Sequence, residues 1–365
     1  MIKPLCEVIV DLEALRANYR LLSGKAEILM PVIKADAYGH GIFEVADILC
    51  EEGAGHFAVG SVAEGAALRD HLRDRDAFIV CLLGCLDEAD FDLCEAKHLV
   101  PLVHNPESLA RCRDRAMEIA LKVDTGMGRL GFKPSEMGEI ARSLVGRAVR
   151  PVLLLSHLAV ADVPEETEYT AEQFRRMDIA RDAVRQYFPD VSVSHGNSCG
   201  TLLHPEHAGN IVRPGIILYG GNPLLGTPLE KECAAFKPVM SAYAPILSVH
   251  ALEAGETLGY GRLFKASRDS VVAWAGIGYA DCFRRNHVPG AHPMMAVKGR
   301  RCPIIGRVAM QMTALDVTDL VAEGVDVRAG DKAEIFGREI DVHEVAEWWG
   351  TIPYEVMCLM GKNRI

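Results

Sequence analysis

The sequence lacks the features that mark several specialised classes of protein. Its 365 residues contain no long run of lysine or arginine, and 50 acidic residues outnumber 39 basic ones, for a net charge of −11. Nucleic acid and anionic membranes are therefore poor partners. The longest uncharged apolar stretch, residues 271–280, is about half of the ~20 residues that span a bilayer, and Glu7 and Asp11 interrupt any signal-peptide core. We expect a cytoplasmic protein that binds small molecules.

Cysteine is present but is not arranged as a disulfide or zinc framework. The 11 cysteines are an odd number, and no two of them form a CxxC pair. The closest spacings, Cys81 to Cys85 and Cys94 to His98, do not match a zinc signature. The sequence predicts free thiols in a reducing compartment and no metal site.

The composition is that of a folded globular protein, with 49% hydrophobic and 24% charged residues. Short apolar runs alternate with longer stretches of helical period, and Asn105 with Pro106, and later Pro134, are helix-start signals. The predicted strands lie at residues 28–33, 56–60, 77–83, 99–103, 119–123, 151–156, 191–194 and 210–213. Such an alternation favours an α/β fold with a closed (β/α)8 TIM-type barrel, and an open doubly wound sheet is the alternative.

After Arg213 the pattern changes to that of antiparallel strands. Glycine and proline become frequent, and short alternating runs follow, such as residues 240–252 and 332–337. We predict an N-terminal strand within residues 1–10 that joins the C-terminal domain, a barrel domain over 11–230, and a mainly β domain over 231–365.

In a barrel, functional residues follow the carboxyl ends of the strands. Lys34, in PVIKADAYGHG, follows the first predicted strand. Burial of this lysine would favour the neutral amine, which reacts with aldehydes, whereas a lysine at a strand end more often extends to solvent. Tyr38 can donate to an anion, while Gly39 and Gly41 permit close backbone approach.

The last two barrel strands supply groups suited to a phosphate. Arg213 ends the eighth strand and Gly215 follows it, while Ser198 follows the seventh. Loops at these positions are the usual phosphate cradle of such barrels. Together with the strand-end lysine, these residues indicate an aldehyde that carries a phosphate, namely pyridoxal 5′-phosphate.

Several motifs resemble those of the alanine racemase family, in the expected order and over nearly the whole chain. PVIKADAYGHG is similar to the family's lysine signature. The other motifs are LKVDTGMGRLGF (121–132), SHLAVAD (156–162), VRPGIILYG (212–220), LGYG (258–261), GIGYAD (276–281), GRVAM (306–310) and PYEVMC (353–358). The resemblance implies a homodimeric isomerase that uses pyridoxal phosphate to interconvert L-alanine and D-alanine, and so supplies D-alanine for peptidoglycan.

The resemblance also implies the catalytic and cofactor-binding residues. Lys34 would hold the cofactor as a Schiff base and act as one base, and Tyr260 of the partner protomer would be the other. Two bases are required because a proton leaves one face of Cα and returns to the other. Arg213 would face the pyridine nitrogen. The remaining implied cofactor-binding residues are Tyr38, His157, Asn197, Ser198, Gly215, Ile216 and Tyr354.

The substrate site is implied in the same way. Arg129 and the backbone N–H of Met310 would bind the substrate carboxylate, in a pocket that favours alanine over larger amino acids. Lys122 is hypothesised to be carbamylated and to orient Arg129. The implied gate residues are Asp162, Tyr279, Arg284 or Arg285, and Arg307.

Alternatives and departures from the family pattern stay open at this stage. A racemase of broader or serine specificity, and a non-catalytic barrel protein that binds pyridoxal phosphate, are the alternative functions. GMGRLG fits a dinucleotide motif, but Pro134 starts the next helix too late for it. Gln311 and Met312 stand where many relatives read MDQ, and His195 is one position closer to Asn197 than in relatives, which leaves its role open.

Overall fold

The computed structural model describes residues 4–73 and 75–364, so residues 1–3, 74 and 365 of the predicted domains lie outside the described residues. The chain forms two compact units. Leu12–Ala37 and Ile42–Lys237 form one, here called the barrel unit. Residues 4–11, 38–41 and 238–364 belong to the other, here called the β unit. Among the described residues, none of the helices combines the length and the apolarity needed to cross a lipid bilayer.

Strand β1 (Glu7–Val10) belongs to the β unit, and the next eight strands in the chain form the barrel. They are β2 (Ile28–Leu29), β3 (His56–Val59), β4 (Phe78–Cys81), β5 (Val100–Val103), β6 (Glu118–Lys122), β7 (Arg150–Leu155), β8 (Ser192–Ser194) and β9 (Ile211–Val212). Each lies within a predicted run or overlaps it, so the prediction of eight strands is confirmed. From β3 to β8, each strand pairs in parallel with the next.

The barrel is closed by β2 and β9, the first and last of these strands. They pair in parallel, with Ile28 opposite Ile211. Val32 forms a parallel bridge with Ala58 of β3. On the other side, the Arg213 N–H donates to the Gly196 carbonyl, which follows β8, at 2.9 Å. These backbone bonds connect both ends of the six-stranded sheet through β2 and β9.

Helices alternate with the barrel strands and begin at capping residues. Ser61 forms a capping box with Glu64, and Asn105 caps a helix that has Pro106 in its first turn, as predicted. Pro134 opens a 3₁₀ turn that leads into the next α-helix. The helices are α1 (Leu12–Ser23), α2 (Lys34–Gly39), α3 (Ile42–Glu51), α4 (Val62–His71), α5 (Glu88–Ala96), α6 (Pro106–Cys112), α7 (Met137–Leu144), α8 (Thr167–Arg185) and α9 (Ser198–Leu203).

The β unit is built on one antiparallel sheet. Its strands are β1 with β10 (Met240–Leu252), β13 (Ser270–Ala275), β14 (Met294–Val297), β15 (Arg300–Ile305), β16 (Thr313–Asp316) and β17 (Lys332–Phe336). They lie in the order β1-β10-β13-β16-β15-β14-β17, and β10 also pairs with β17. A separate hairpin joins β11 (Thr257–Leu258) to β12 (Phe264–Lys265), and the helices are α10 (Thr318–Ala322), α11 (Val342–Trp349) and α12 (Pro353–Met360).

A buried amide fastens α1 to the end of the barrel unit. Asn18 is fully buried, and its Nδ2 donates to the carbonyls of Leu218 at 3.0 Å and Lys237 at 2.8 Å. Its Oδ1 accepts the Lys237 N–H at 2.8 Å. The buried side chain thus pairs three backbone groups, one on Leu218 and two on Lys237.

We expect Asn18→Ala to lower the free energy of unfolding by about 2–4 kcal/mol, because a fully buried side chain and its three hydrogen bonds are lost. Urea denaturation followed by circular dichroism measures this change. Ser23→Ala is the control, since it removes only the exposed hydrogen bond from Ser23 Oγ to the Arg20 carbonyl. An Asn18→Ala loss as small as the control's would show that water replaces these bonds.

Candidate active site

The closing strands bring the predicted lysine and arginine segments to the same edge of the barrel. The Val32 N–H donates to the Pro214 carbonyl at 3.0 Å. Val32 lies two residues before Lys34, and Pro214 directly follows Arg213. The Ile33 N–H donates to the Ala58 carbonyl of β3 at 2.9 Å. Lys34 and Arg213 therefore follow the carboxyl ends of adjacent parallel strands, as the barrel prediction requires.

The segment that begins at Lys34 has an unusual backbone. Helix α2 contains four consecutive residues other than glycine with positive φ, namely Ala35 (54°), Asp36 (55°), Ala37 (53°) and Tyr38 (55°). This is a left-handed helical turn, and such a conformation costs about 1–2 kcal/mol per residue for L-amino acids. Strain of this size persists only where the surroundings impose it, and it is concentrated at functional sites.

Lys34 itself is exposed, which is the commoner arrangement for a lysine at the end of a strand. The apolar residues before it turn into the barrel, whereas Lys34 begins the left-handed turn at the edge. Gly60, at the end of β3, lies beside it, and a Cβ on Gly60 would be 3.5 Å from the Lys34 Cβ. The lysine stem thus lies against a backbone position that has no side chain.

Arg213 is buried and donates to two uncharged acceptors. Its Nη1 donates to Ser194 Oγ, and its Nη2 donates to the Ser156 carbonyl at 2.5 Å. Burial lowers the pKa of Arg213 to about 9. The guanidinium still carries a proton at pH 7, and its charge makes the site favourable for an electron-rich ligand.

A buried chain of side chains supports the strand ends around Arg213. Ser156 Oγ donates to the Val123 carbonyl at 2.8 Å, so it accepts from Thr125 Oγ1, also at 2.8 Å. Thr125 Oγ1 in turn accepts from Gln173 Nε2 of α8 at 3.1 Å. Because each hydroxyl has one proton, these bonds run in one direction, from Gln173 to Val123.

His195 belongs to this chain rather than to Arg213. Its Nε2 lies 3.4 Å from Thr125 Oγ1, and burial, followed by the charge of Arg213, lowers its pKa to about 3. Because Thr125 Oγ1 already donates its proton to Ser156 Oγ, the neutral His195 ring donates from Nε2 to Thr125 Oγ1. The hydroxyl of the preceding residue, Ser194, occupies the position beside Arg213, and the shifted position of His195 is the one hint of this in the sequence.

Three cationic or titratable groups lie near Arg213 in the barrel unit. Lys122 is buried, and burial, then the charges of Arg213 and Arg129, lower its pKa to about 7. Burial and the charge of Arg213 lower the pKa of His157 to about 2. Arg129 follows β6 and is exposed. The concentration of positive charge favours anionic ligands and keeps His157 neutral.

The residues predicted to cradle a phosphate lie together. Ser198 Oγ accepts the N–H groups of Gly215 at 3.1 Å and Ile217 at 3.5 Å. Asn197 caps α9, since its Oδ1 accepts the Gly200 N–H at 3.0 Å. Ile216 is buried and begins a 3₁₀ turn. A hydroxyl and the starts of two helical turns therefore converge here, an arrangement suited to anions.

Two of the predicted phosphate-binding tyrosines meet within the β unit. The rings of Tyr38 and Tyr354 are 6.0 Å apart between centroids and inclined by 45°. Burial raises the pKa of Tyr38, which keeps its hydroxyl proton available for donation. Gly39 has a φ of +82°, and a Cβ there would lie 2.5 Å from the Met357 carbonyl oxygen, so this position requires glycine.

The other predicted residues of the β unit lie on exposed segments. Tyr260 is 71% exposed in a 3₁₀ turn, and Met310 is 57% exposed. Arg284 pairs with Glu355 at 2.5 Å, and the Tyr279 N–H donates to the Ala309 carbonyl at 3.2 Å. The remaining predicted gate residues, Asp162 of the barrel unit, Arg285 and Arg307, are exposed.

Comparison with known protein families matches both parts of the chain. The model of the alanine racemase N-terminal domain matches residues 10–223, and that of the C-terminal domain matches residues 239–365. The chain belongs to the alanine racemase family. The resemblance noted in the sequence is thereby confirmed.

Individual alanine racemases are similar over almost their full length. Alanine racemase of Nitratidesulfovibrio vulgaris (strain Miyazaki F) is 44% identical, over 97% of this chain and 95% of the relative. The enzyme of Lawsonia intracellularis is 40% identical, over 97% and 95%. The biosynthetic alanine racemase of Pseudomonas aeruginosa superposes with a TM-score of 0.84 at 32% identity, covering 98% of this chain and 97% of that one.

A crystal structure from Bartonella henselae extends the alanine racemase comparison to a cofactor-bound protein. It has covalently bound pyridoxal phosphate, and its TM-score is 0.86 at 26% identity, with 98% of both chains covered.

The pKa of Lys122 predicts how the stability of this alanine racemase homologue depends on pH. In bicarbonate-free buffer, the unfolded lysine keeps its proton up to its usual pKa of 10.5, whereas the folded one loses it above about 7. The unfolded state binds more protons between these values, so this group makes stability rise with pH across that window and adds no slope below it. Urea denaturation at several pH values should show a steeper rise for the wild type than for Lys122→Met. Parallel curves for the two proteins would contradict the assignment.

Proposed function

We propose that the protein interconverts L-alanine and D-alanine with pyridoxal phosphate held on Lys34, and supplies D-alanine for peptidoglycan in the cytoplasm. The observation that carries the proposal is the pairing of β2 with β9, which puts Lys34, Arg213 and the Ser198–Gly215 cradle at one edge of the barrel in a member of this family. We further propose that the domains divide after residues 10 and 230.

The residues fit the cofactor at both of its ends. Ser198, Gly215 and Ile216 provide a hydroxyl and N–H groups for the phosphate, with Tyr38 and Tyr354 as further donors. When bound, pyridoxal phosphate supplies an aldehyde for an amine and a ring that withdraws electrons from the adjacent Cα. In our proposal His157 and Asn197 complete the surroundings, His157 as a neutral ring and Asn197 as the cap of α9.

Arg213 favours racemisation over other reactions of the same cofactor. Its guanidinium donates hydrogen bonds and keeps its own proton, so it would hold the pyridine nitrogen without protonating it. By keeping its proton, Arg213 would leave the cofactor a weaker electron sink, which would favour rapid return of the proton to Cα. The buried hydroxyl of Ser194 and the Ser156 carbonyl fix the direction of the guanidinium.

Two bases on opposite faces of the substrate complete the mechanism. Lys34 would move the proton on one face, and Tyr260 of the partner protomer would move it on the other. The exposure of Tyr260, at 71%, supports a role toward a second chain, and Leu263 beside it is 63% exposed. We therefore propose a homodimer whose active sites are shared.

Alanine would be held by its carboxylate. Arg129 provides a guanidinium, and the backbone N–H of Met310 provides a second donor. We propose that Asp162, Tyr279, Arg284 and Arg307 form the gate through which the amino acid enters. In this proposal Tyr354 and Met310 leave room for little beyond a methyl side chain, which favours alanine.

Replacing Tyr260 separates catalysis from cofactor binding. We expect Tyr260→Phe to retain a pyridoxyl label on Lys34 after borohydride reduction, and to lose at least about 100-fold in exchange of the α-proton of alanine with solvent deuterium. Peptide mapping and mass spectrometry measure both quantities. Tyr243→Phe is the matched control, because Tyr243 lies within β10 of the same unit.

Two outcomes would contradict this proposal. A label located on another lysine in the wild type would remove Lys34 from the mechanism. Exchange in Tyr260→Phe equal to that of the Tyr243→Phe control would remove the second base.

We also propose that Lys122 is carbamylated. With a pKa of about 7, much of this buried lysine is a neutral amine at physiological pH. The amine can attack carbon dioxide, lose one proton and form an anion between Arg213 and Arg129. Intact-mass measurement of the native protein in bicarbonate should show an added carbon dioxide that Lys122→Met lacks. A free amine at Lys122 in saturating bicarbonate would disprove the modification.

A further inference from the structure

A single carboxylate connects the Lys34 segment to the next barrel strand. Glu64 lies in the first turn of α4 and is half-buried. Its Oε2 accepts the N–H groups of Gly60 at 2.8 Å and Ser61 at 3.1 Å. Its Oε1 accepts the N–H of Ala35, the residue after Lys34, at 2.8 Å.

Only half of this arrangement is explained by helix capping. The capping box of α4 uses Glu64 Oε2 for Ser61, while Ser61 Oγ accepts the Glu64 N–H at 3.2 Å. A capping box needs nothing from the second oxygen. Ala35, which donates to this second oxygen, precedes Glu64 by 29 positions, and β3 lies between the two residues in the chain.

The Ala35 N–H is the start of the strained turn. Ala35 is the first of the four residues with positive φ, and the far end is held by a second carboxylate, since Asp36 Oδ1 accepts the Ile42 N–H at 2.8 Å. The direction of the Lys34 side chain depends on this backbone. A Cβ on Gly60 would meet Glu64 Oε2 at 2.8 Å, so the carboxylate occupies the space beside the lysine stem.

We propose that Glu64 is a positioning residue for Lys34: its carboxylate holds the left-handed turn against the end of β3 and so directs the lysine amine toward the cofactor aldehyde. This inference rests on the proposed function. Glu64 does not touch the reacting atoms in this scheme, and it acts through the backbone of Ala35.

The chemistry of the carboxylate suggests a selective variant. Both oxygens of Glu64 accept hydrogen bonds, whereas glutamine has one accepting oxygen and one donating nitrogen. In Glu64→Gln, the amide oxygen can still accept the N–H groups of Gly60 and Ser61. The amide nitrogen would then face the Ala35 N–H, and two donors cannot form a hydrogen bond with each other. Ser61→Ala is the matched control, because it weakens the cap of α4 and leaves the carboxylate in place.

The test compares the wild type, Glu64→Gln and Ser61→Ala as full-length proteins. For each, pyridoxal phosphate is added back to cofactor-free protein to measure affinity, the borohydride-reduced label is mapped, and kcat and KM for alanine are determined alongside the melting temperature. We expect Glu64→Gln to bind the cofactor at least about ten-fold more weakly, to place part of the label on other lysines, and to lose at least about ten-fold in kcat with KM within about two-fold. Ser61→Ala should lower the melting temperature without these changes.

Several results would overturn the inference. If Glu64→Gln matches the wild type in cofactor affinity, in the position of the label and in kcat, the hydrogen bond from Ala35 has no role in positioning Lys34. Equal losses in Ser61→Ala show that the effect is capping of α4. If Glu64→Gln does not fold, hydrogen exchange of the wild type decides: an Ala35 amide that exchanges as fast as an exposed loop amide contradicts the proposal, and a protected one supports it.

The design separates this inference from the proposed function. A wild-type protein without a label on Lys34 disproves the function itself. A labelled wild type together with an unaffected Glu64→Gln disproves only the role of Glu64.

Discussion

The parallel pairing of β2 with β9 is the constraint on which the rest of the site depends. The pairing is short, yet it fixes the register of two chain segments that are far apart in sequence. A shift of one residue would turn every side chain on the affected strand to the other face. Lys34, Arg213 and the loop that holds Ser198 and Gly215 would then no longer share one edge. The positions of the functional side chains in the barrel unit thus depend on backbone hydrogen bonds in which those side chains take no part.

The electrostatics of this edge explain why a phosphate and a carboxylate suit it. Arg213 and Lys122 are buried among neutral acceptors, and both have pKa values below their usual ones because burial penalises their charged forms. Such a site gains energy from an anion or an electron-rich ring. The one-directional chain from Gln173 through Thr125 and Ser156 satisfies the buried hydroxyls without adding negative charge. The positive potential is therefore left for ligands.

The sequence predicted the parts of this protein that follow from periodicity and from local motifs. Eight strands were found because buried parallel strands read as apolar runs, and the helix start at Asn105 followed from capping chemistry. The left-handed turn of α2 was not predictable, because Ala35, Asp36 and Ala37 have no intrinsic preference for positive φ. The roles of Glu64, Ser194 and Gln173 were missed for the same kind of reason. Each depends on a bond between segments that only the closed barrel brings together.

The exposure of the second proposed base connects catalysis to assembly. Tyr260 is 71% exposed in the single chain, and a phenol in contact with bulk water exchanges protons with the solvent rather than passing one selectively to Cα. Proton transfer across a substrate requires that water be excluded and that charges act at low dielectric. Neither condition is met around this side chain in one protomer. A partner that covers Tyr260 would therefore do more than share a base, because it would also provide the dry surroundings in which proton transfer takes place.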